Sequence, residues 1–424
     1  MKKLFISAGL VAVGTASIQQ AMADTAALGA PASDIWSAGG TLRGFYDSNY
    51  AIQSTGSNKG SFGLELSPTI SFNDSLQQTD FGARYTYGLY WYQRRQIMGV
   101  KPFDQTHQVD LWLDHAFDER WKMTVSDTLG VGQEPELING GGVPYRVSGD
   151  NLGNHANVTL DTQWTREFST QLHYANDFYD YQESGGTAGS PSYAGLLNRD
   201  EQNAGLDLQW HFDPETMAFV GYSFDYVDYV GNEIIGTIPS GNISSDYRNS
   251  FSHQVYAGLQ HNFTPNLSGN LKAGAEYVDN FNQSTTGSTS WSPYGSASLS
   301  YTYLPGSYVQ VGLSQGDTSS YFVTAANQSG IIQYEETTTV YGSINHHFTE
   351  KLIGTALAQY GYSEFHGSGN QGPDALVSAG LNLTYLINRY LSTEVGYNYD
   401  RLRSDEPNAA FERNRVYLGL TATY

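Results

Sequence analysis

The first residues that could carry chemistry form a glycine-rich stretch. Residues 367–372 read Gly-Ser-Gly-Asn-Gln-Gly, the spacing of a dinucleotide-binding loop. Such a loop binds phosphate only where a strand precedes it and a helix follows it. No strand-then-helix pattern surrounds this stretch, so a flexible external turn is favoured over a cofactor site. The sequence predicts no cofactor.

Histidine beside histidine or aspartate is the second feature with chemical potential, because such pairs can bind metal ions or transfer protons. The pairs are His346-His347 and Asp114-His115. However, His115, His261 and His346 each precede an aromatic residue by two positions, on the same strand face. This repetition favours imidazoles at the level of lipid headgroups over a metal site. No local Ser/His/Asp or paired-carboxylate spacing stands out, so no catalytic residue is assigned.

The N-terminus has the pattern of a secretory signal peptide. Two lysines follow Met1, residues 4–16 form an apolar run, and Ala-Met-Ala at 21–23 provides a cleavage site. We expect residues 1–23 to be removed and residues 24–37 to form a periplasmic extension. Residues 38–424 would then form the folded domain.

Composition narrows the class of that domain. The 424 residues carry a formal charge of −21, only 15% of them are charged, and 32 are tyrosine and 46 glycine. The chain has no cysteine, so it has no disulfide framework. No mature segment contains 18 consecutive apolar residues, which excludes transmembrane helices. A large soluble β protein and a membrane barrel remain.

Strict alternation of apolar and polar residues predicts β-strands with one apolar face. At the C-terminus, Val416, Leu418 and Leu420 share one face, whereas Arg415 and Tyr417 share the other. The same alternation occurs at residues 62–72 and 391–400. Side chains of a strand point to opposite faces with period two.

A repeat of 37 to 51 residues organises these strands. In each period an aromatic on the apolar face is followed by a short polar turn, with turns predicted near the eight residues Asn73, Asp118, Arg166, Asp213, Pro265, Pro305, Glu350 and Asn388. Eight turns join sixteen strands, and one strand at each end makes eighteen. Longer polar loops, such as residues 131–151 and 230–249, lie between the hairpins. This pattern predicts an all-β fold, a transmembrane antiparallel up-and-down β-barrel of about 18 strands, with short periplasmic turns and long external loops.

A soluble β-propeller also repeats every 40 to 50 residues, but it needs four strands per period. The basic residues favour the barrel. Those within predicted strands, Arg43, Arg84, Lys122, Lys272 and Arg415, all lie on polar faces. A basic residue facing lipid at the midplane costs roughly 2–4 kcal/mol, so a barrel requires this exclusion. One acidic residue, Asp127, has the apolar-face parity, and a bulge or register shift is expected there.

The polar faces carry more acid than base. The five basic residues share them with ten acids: Glu65, Asp110, Asp114, Asp161, Asp177, Asp207, Asp225, Glu276, Glu394 and Asp400. One interpretation is a neutralised salt-bridge lattice that only fills the interior. The surplus of acid favours the other, a water-filled lumen that prefers cations or neutral solutes.

Residues 44–49, Gly-Phe-Tyr-Asp-Ser-Asn, follow the signal segment at the position of the first strand. With the size and the barrel pattern, they resemble the outer-membrane barrels grouped as putative β-barrel porin 2. That resemblance implies an association with exopolysaccharide export. The C-terminus resembles the signal by which barrel-assembly machinery recognises a last strand, with Gly419 five residues before the terminal Tyr424. Ala422 stands where that signal usually has a larger apolar residue.

These features predict an outer-membrane pore of a Gram-negative bacterium rather than an enzyme. The cargo would be small hydrophilic solutes or an exported polysaccharide, and the lumen would be rich in acids. The alternative is an outer-membrane hydrolase that uses the barrel as a scaffold. Expected partners are outer-membrane lipid, the barrel-assembly machinery and polysaccharide-export components. The acidic charge gives no support for nucleic-acid binding.

Overall fold

A computed structural model describes residues 35–57, 59–99, 101–132, 151–187, 192–238, 241–282, 288–318, 332–367, 372–405 and 409–424. The predicted signal peptide and most of the predicted extension and of the loop at 131–151 lie outside these residues. The described strands of the first half are β1 (Trp36–Asp47), β2 (Ser61–Ser75), β3 (Thr79–Tyr92), β4 (Phe103–Ala116), β5 (Trp121–Gly132), β6 (Asn151–Gln163), β7 (Phe168–Tyr181), β8 (Arg199–Asp213), β9 (Thr216–Tyr229), β10 (Ile234–Ile238) and β11 (Gly241–Ser244).

The second half contains β12 (Ser250–Thr264), β13 (Leu267–Asp279), β14 (Thr289–Leu304), β15 (Ser307–Thr318), β16 (Ile332–His347), β17 (Leu352–Gly367), β18 (Asp374–Asn388), β19 (Leu391–Arg403) and β20 (Phe411–Thr423). Two five-residue helices, α1 (Gln93–Ile97) and α2 (Tyr193–Leu197), and a 3₁₀ turn, η1 (Ser245–Arg248), lie between strands. Within the described ranges, no helix is long and apolar enough to span a membrane.

Eighteen strands form one closed antiparallel sheet. Each strand pairs with its neighbours in chain order, β12 pairs with β9, and β1 pairs with both β2 and β20. The remaining strands, β10 and β11, form a separate hairpin. The predicted barrel and its strand number are therefore confirmed. Closure gives every strand of this sheet a hydrogen-bonded neighbour on both sides, so the sheet has no free edge strand.

The two ends of the barrel differ in the length of their connections. Eight tight turns join strands at one end, which we call the turn end; the opposite end is the loop end. Seven of the predicted turn positions fall in or beside these turns. The eighth, Asn73, lies within β2, and the chain turns at residues 76–78 instead. β19 continues beyond the predicted alternation at residues 391–400, and Arg401 and Arg403 lie at its loop end with the parity of the apolar face.

Alternation gives the wall an outer face and an interior face. Residues that are paired across neighbouring strands point to the same side of the sheet, so the pairing register assigns the residues of every strand to the outer or the interior face. The outer face is apolar and open: Val255 is 62% exposed, whereas the next residue, Tyr256, is 5% exposed. Most interior side chains are polar, aromatic or small, and the interior also holds a few buried aliphatic side chains, such as Ile353 and Leu357.

Asp127 is an exception on the outer face, and the expected bulge is wrong. The register of β5 against β4 and β6 runs through Asp127 without a shift. Asp127 instead faces outward, where its carboxylate accepts a hydrogen bond of 2.7 Å from the amide of Asn154. The position is six residues above Trp121, about 15 Å along the barrel axis at typical strand rise and tilt. A neighbouring amide, rather than a backbone irregularity, accommodates the carboxylate.

Glycines let interior aromatic rings lie flat against the wall. The ring of Tyr417 covers Gly396 on the adjacent strand, and a Cβ at Gly396 would lie 2.1 Å from that ring. Tyr341 covers Gly312 in the same way, at 2.4 Å. A side chain at either glycine would push the ring toward the barrel axis. These pairs keep large rings out of the interior space.

Candidate functional site

The twelve charged residues predicted to line a lumen all lie on the interior face of the barrel. An ion-pair network formed by some of them lies beside the junction of β1 and β20. The Arg43 side chain donates to Glu394 at 2.5 Å and to Glu65 at 2.8 Å. Glu65 also lies 3.6 Å from Arg415. Asn382 adds a hydrogen bond of 2.9 Å to Glu394. The network joins β18, β19, β20, β1 and β2, so its charges largely cancel where the barrel closes.

A second ion pair lies at the loop end of the same junction. Asp47 and Arg413 are both fully buried, and Arg413 donates to one carboxylate oxygen from Nε at 2.8 Å and from Nη2 at 2.5 Å. The backbone N–H of Asn49 donates to the other oxygen at 2.9 Å. Ser48 Oγ accepts from the N–H of Asn414, and the Asn49 amide donates to the carbonyl of Glu412. Residues 47–49 thus bind the last strand directly.

Two further pairs involve partly exposed side chains. Arg84 donates to Asp110 at 2.9 Å, and Lys122 lies 3.2 Å from Asp114. Both basic side chains are 40% exposed, so solvent weakens these attractions. These pairs neutralise formal charge on β3 to β5, but they do not hold the basic side chains tightly in place.

Four interior acids between β6 and β13 have neutral hydrogen-bond donors instead of basic partners. Gln171 donates to Asp161 at 2.7 Å. The corresponding donors are Tyr256 to Asp207 at 2.8 Å, Asn203 to Asp225 at 2.5 Å and Gln254 to Glu276 at 3.1 Å. Neutral donors stabilise a carboxylate without cancelling its charge. We call this sector, which groups the four interior acids Asp161, Asp207, Asp225 and Glu276, the acidic wall.

Lys272 is a basic residue that interacts with Asp207 and Asp225 of the acidic wall, and its amine contacts aromatic rings. Its Nζ lies 4.7 Å from the ring centre of Tyr256 and 4.5 Å from that of Tyr294. The ammonium donates to the Tyr294 hydroxyl at 2.8 Å. Cation–π contacts hold the amine against the wall, where it offsets part of the acidic field.

The loop ends of β15 and β16 leave the wall and lean inward. Pairing of β14 with β15 stops at Gly295 and Gln315, although both strands continue. Beyond that point, Asp317 accepts a hydrogen bond of 2.7 Å from Ser292, and its N–H donates to Glu276 of β13 at 3.4 Å. Asp317 thus joins the acidic wall. Period-two reasoning does not identify it, because its parity matches the outward Gln315.

The loops at this end form a packed cap around Arg248. Ile235 of β10 and Ile243 of β11 are each 2% exposed, and Leu196 packs against them. Arg248, 1% exposed, donates to the Tyr229 hydroxyl at 2.6 Å and to the Leu196 carbonyl at 3.0 Å. Burial lowers the pKa of Arg248. Within the predicted polar loop at 230–249, the described residues 230–238 and 241–249 therefore form a hairpin and a 3₁₀ turn that pack together.

Catalytic and metal-binding groupings do not assemble in the described part of the chain. Ser169 Oγ lies 2.9 Å from Nε2 of His211, but no described carboxylate bonds the Nδ1 of that histidine. No three His, Cys, Asp or Glu side chains among the described residues meet as a metal site. Gly367 ends β17 and β18 begins at Asp374, so the glycine-rich stretch joins two wall strands.

A family comparison identifies the kind of barrel. The family model described as putative beta-barrel porin 2 matches residues 41–424. This chain belongs to that family. The match confirms the resemblance suggested by residues 44–49, and no curated protein sequence matches the chain.

Several solved porins are similar to this member of the putative beta-barrel porin 2 family. OccAB4 of Acinetobacter baumannii is 11% identical with a TM-score of 0.44. OpdK of Pseudomonas aeruginosa is 13% identical with a TM-score of 0.44, and a BenF-like porin of Pseudomonas fluorescens Pf-5 is 11% identical with a TM-score of 0.46. Each comparison covers 92% of this chain and 99% of the other.

Two residues of this family member were predicted to form an assembly signal. Gly419 lies on the interior face of β20, and a Cβ there would meet Glu394 and Arg43 at 2.8 and 2.9 Å. Tyr424 follows β20 and is 83% exposed, while its backbone N–H donates to Ala38 of β1 at 2.7 Å. The glycine thus leaves room for the Arg43 network, and the assembly role of both residues stays a prediction.

Proposed function

We propose that this chain is an outer-membrane pore that passes small hydrophilic solutes and prefers cations. The observation that carries the proposal is the combination of a closed 18-stranded wall with an open apolar outer face and a polar interior. An apolar outer face suits lipid, and barrels of this strand number are wide enough for an aqueous channel. Membership of a porin family supports a channel rather than a hydrolase.

The acidic wall would give the pore its preference for cations. Its carboxylates accept hydrogen bonds from neutral groups, and the single amine of Lys272 offsets only part of their combined charge. Asp317, leaning inward beside Glu276, would concentrate this field near the loop end. Low-dielectric walls focus such a field on solutes in the passage.

Planar-bilayer recording with the purified full chain tests the proposal. We expect conductance steps and a reversal potential across a salt gradient that indicates mild cation preference. The double substitution Asp207→Asn/Asp225→Asn should move that potential toward neutrality, whereas Asp114→Asn should move it less because Lys122 already offsets its charge. Anion selectivity in the unmodified channel would refute the role of the acidic wall. Lipase or protease activity without conductance would support the hydrolase instead.

The orientation of the pore follows from the lengths of its connections. Outer-membrane barrels have short periplasmic turns and longer external loops, so the turn end would face the periplasm. Cysteines introduced at Asp118 and Asp213 should resist a membrane-impermeant thiol reagent in intact cells. Cysteines at Gly185 and Asn232, at the loop end, should react. The opposite labelling pattern would invert the proposed orientation.

An exported polysaccharide is a second candidate cargo, favoured by the interior face of β14. Five of the six interior positions from residue 290 to residue 300 are serine, and Tyr294 occupies the sixth; the serines are Ser290, Ser292, Ser296, Ser298 and Ser300. Hydroxyl groups can donate and accept hydrogen bonds with sugars without attracting ions. Blockade of the ionic current by neutral oligosaccharides, absent for polyethylene glycol of equal size, would favour this cargo.

A further inference from the structure

Three outward histidines at the turn end share one geometry. His115, His261 and His346 each contact the aromatic residue two positions later edge-to-face, at ring-centre distances of 4.5 to 4.7 Å and interplanar angles of 84° to 87°. Those partners, Phe117, Phe263 and Phe348, are 53% to 58% exposed. The arrangement recurs on β4, β12 and β16, so it does not depend on one local accident of packing.

Each of these imidazoles is fixed by a hydroxyl group through the same nitrogen. Nδ1 of His115 lies 2.8 Å from the hydroxyl of Thr79, and Nδ1 of His261 lies 2.9 Å from that of Thr216. Nδ1 of His346 lies 2.7 Å from the Tyr303 hydroxyl. Within the described ranges, no group hydrogen-bonds Nε2 of any of the three. A neutral imidazole that accepts at Nδ1 carries its proton at Nε2 and can donate there.

We propose that these three histidines bind the phosphate groups of phospholipids in the periplasmic leaflet. This inference rests on the proposed membrane location. The exposed phenylalanine of each pair would lie among the lipids at the interface, and the neighbouring Nε2–H would donate to a phosphodiester oxygen. Donation to an anionic oxygen is about twice as strong as a neutral hydrogen bond, and a phosphodiester stays ionised at neutral pH. The hydroxyl partner orients the ring before the lipid arrives.

Two outward histidines nearer the loop end provide a matched control. His107 and His253 also bond a tyrosine hydroxyl through Nδ1, at 2.8 Å from Tyr85 and 2.6 Å from Tyr222. Neither lies beside a tight turn, and His253 is surrounded by further aromatic rings. They share the chemistry of the three turn-end histidines but not their position.

Native mass spectrometry of the full chain in detergent micelles tests the proposal. The probe is phosphatidylglycerol, compared with a monoglucosyl diacylglycerol of the same acyl chains. We expect retained phosphatidylglycerol to decrease stepwise as His115→Leu, His261→Leu and His346→Leu are combined. The control pair His107→Leu/His253→Leu should leave it unchanged, and inorganic phosphate should not displace the lipid.

Equal retention by the triple variant and the unmodified chain would overturn the proposal, as would equal retention of the glucosyl lipid. Displacement by inorganic phosphate would assign the site to free anions instead. Bilayer conductance of the triple variant separates this inference from the proposed pore. If the triple variant conducts and retains as much lipid as the unmodified chain, the headgroup site is refuted and the pore is not. If neither the unmodified chain nor the triple variant conducts, but the triple variant loses lipid, the pore is refuted and the headgroup site is not.

Discussion

Removing the Asp47 carboxylate tests whether the first and last strands are locked by their buried ion pair. In Asp47→Ala, Arg413 would lose both of its hydrogen bonds to that carboxylate while it stays enclosed by protein. Asp400 lies directly opposite Arg413 on β19, and its Oδ2 has no hydrogen-bond partner. Arg413 would therefore keep one carboxylate neighbour, but it would lose the hydrogen bonds that connect it to β1, which places the expected loss toward the lower end of the range for a broken buried pair.

The expected magnitude follows from complete burial of both side chains, which are 0% and 1% exposed. Removing one partner of a buried ion pair destabilises a fold by about 3–5 kcal/mol. Replacing both partners, in Asp47→Ala/Arg413→Met, should cost less than the sum of the single changes, because neither member of the pair is then left buried without the other. Equilibrium unfolding in urea from phospholipid vesicles, followed by tryptophan fluorescence and gel mobility, measures these free energies.

The partly exposed pair of Lys122 and Asp114 serves as the control. Both side chains are 40% or more exposed, so Lys122→Ala should change stability by roughly 0–1 kcal/mol. A loss for Asp47→Ala no larger than this control would refute the locking role. Strict additivity of the Asp47 and Arg413 changes would also refute it, since the two groups would then not be coupled.

Two further predictions concern the faces of the wall. Leu381→Arg places a charge on the exposed outer face and should destabilise the barrel by roughly 2–4 kcal/mol at the bilayer midplane. Asn382→Arg faces the interior beside Glu394 and should be tolerated better. Urea unfolding compares the two variants, and equal losses of stability would contradict the register. Gly396→Val should push the Tyr417 ring toward the axis and lower single-channel conductance. The outward Gly44→Val, where a Cβ finds its nearest neighbour 3.9 Å away, should leave conductance unchanged, and equal currents in both variants would contradict the flat-ring geometry.

Local alternation predicted most of the wall because a strand repeats every two residues. The faces of residues 62–72 and 391–400 follow from this period alone, and seven of the eight turn positions follow from the repeated aromatic residue and short polar turn. Tight turns need residues with particular backbone preferences, which the sequence displays directly. Closure into eighteen strands followed from counting those turns, and membership of the porin family followed from the size, the pattern and residues 44–49.

Partners between distant strands were decided only by the tertiary structure. Asp47 and Arg413 are 366 positions apart, and nothing in either local pattern marks them as a pair. Asp317 has outward parity, but it reaches Glu276 because β15 separates from β14 at the loop end. Asp127 remains on the outer face without a bulge, because the amide of Asn154 donates a hydrogen bond to its carboxylate. The residue period is a property of one strand, whereas these contacts depend on how far neighbouring strands are offset and where their pairing ends.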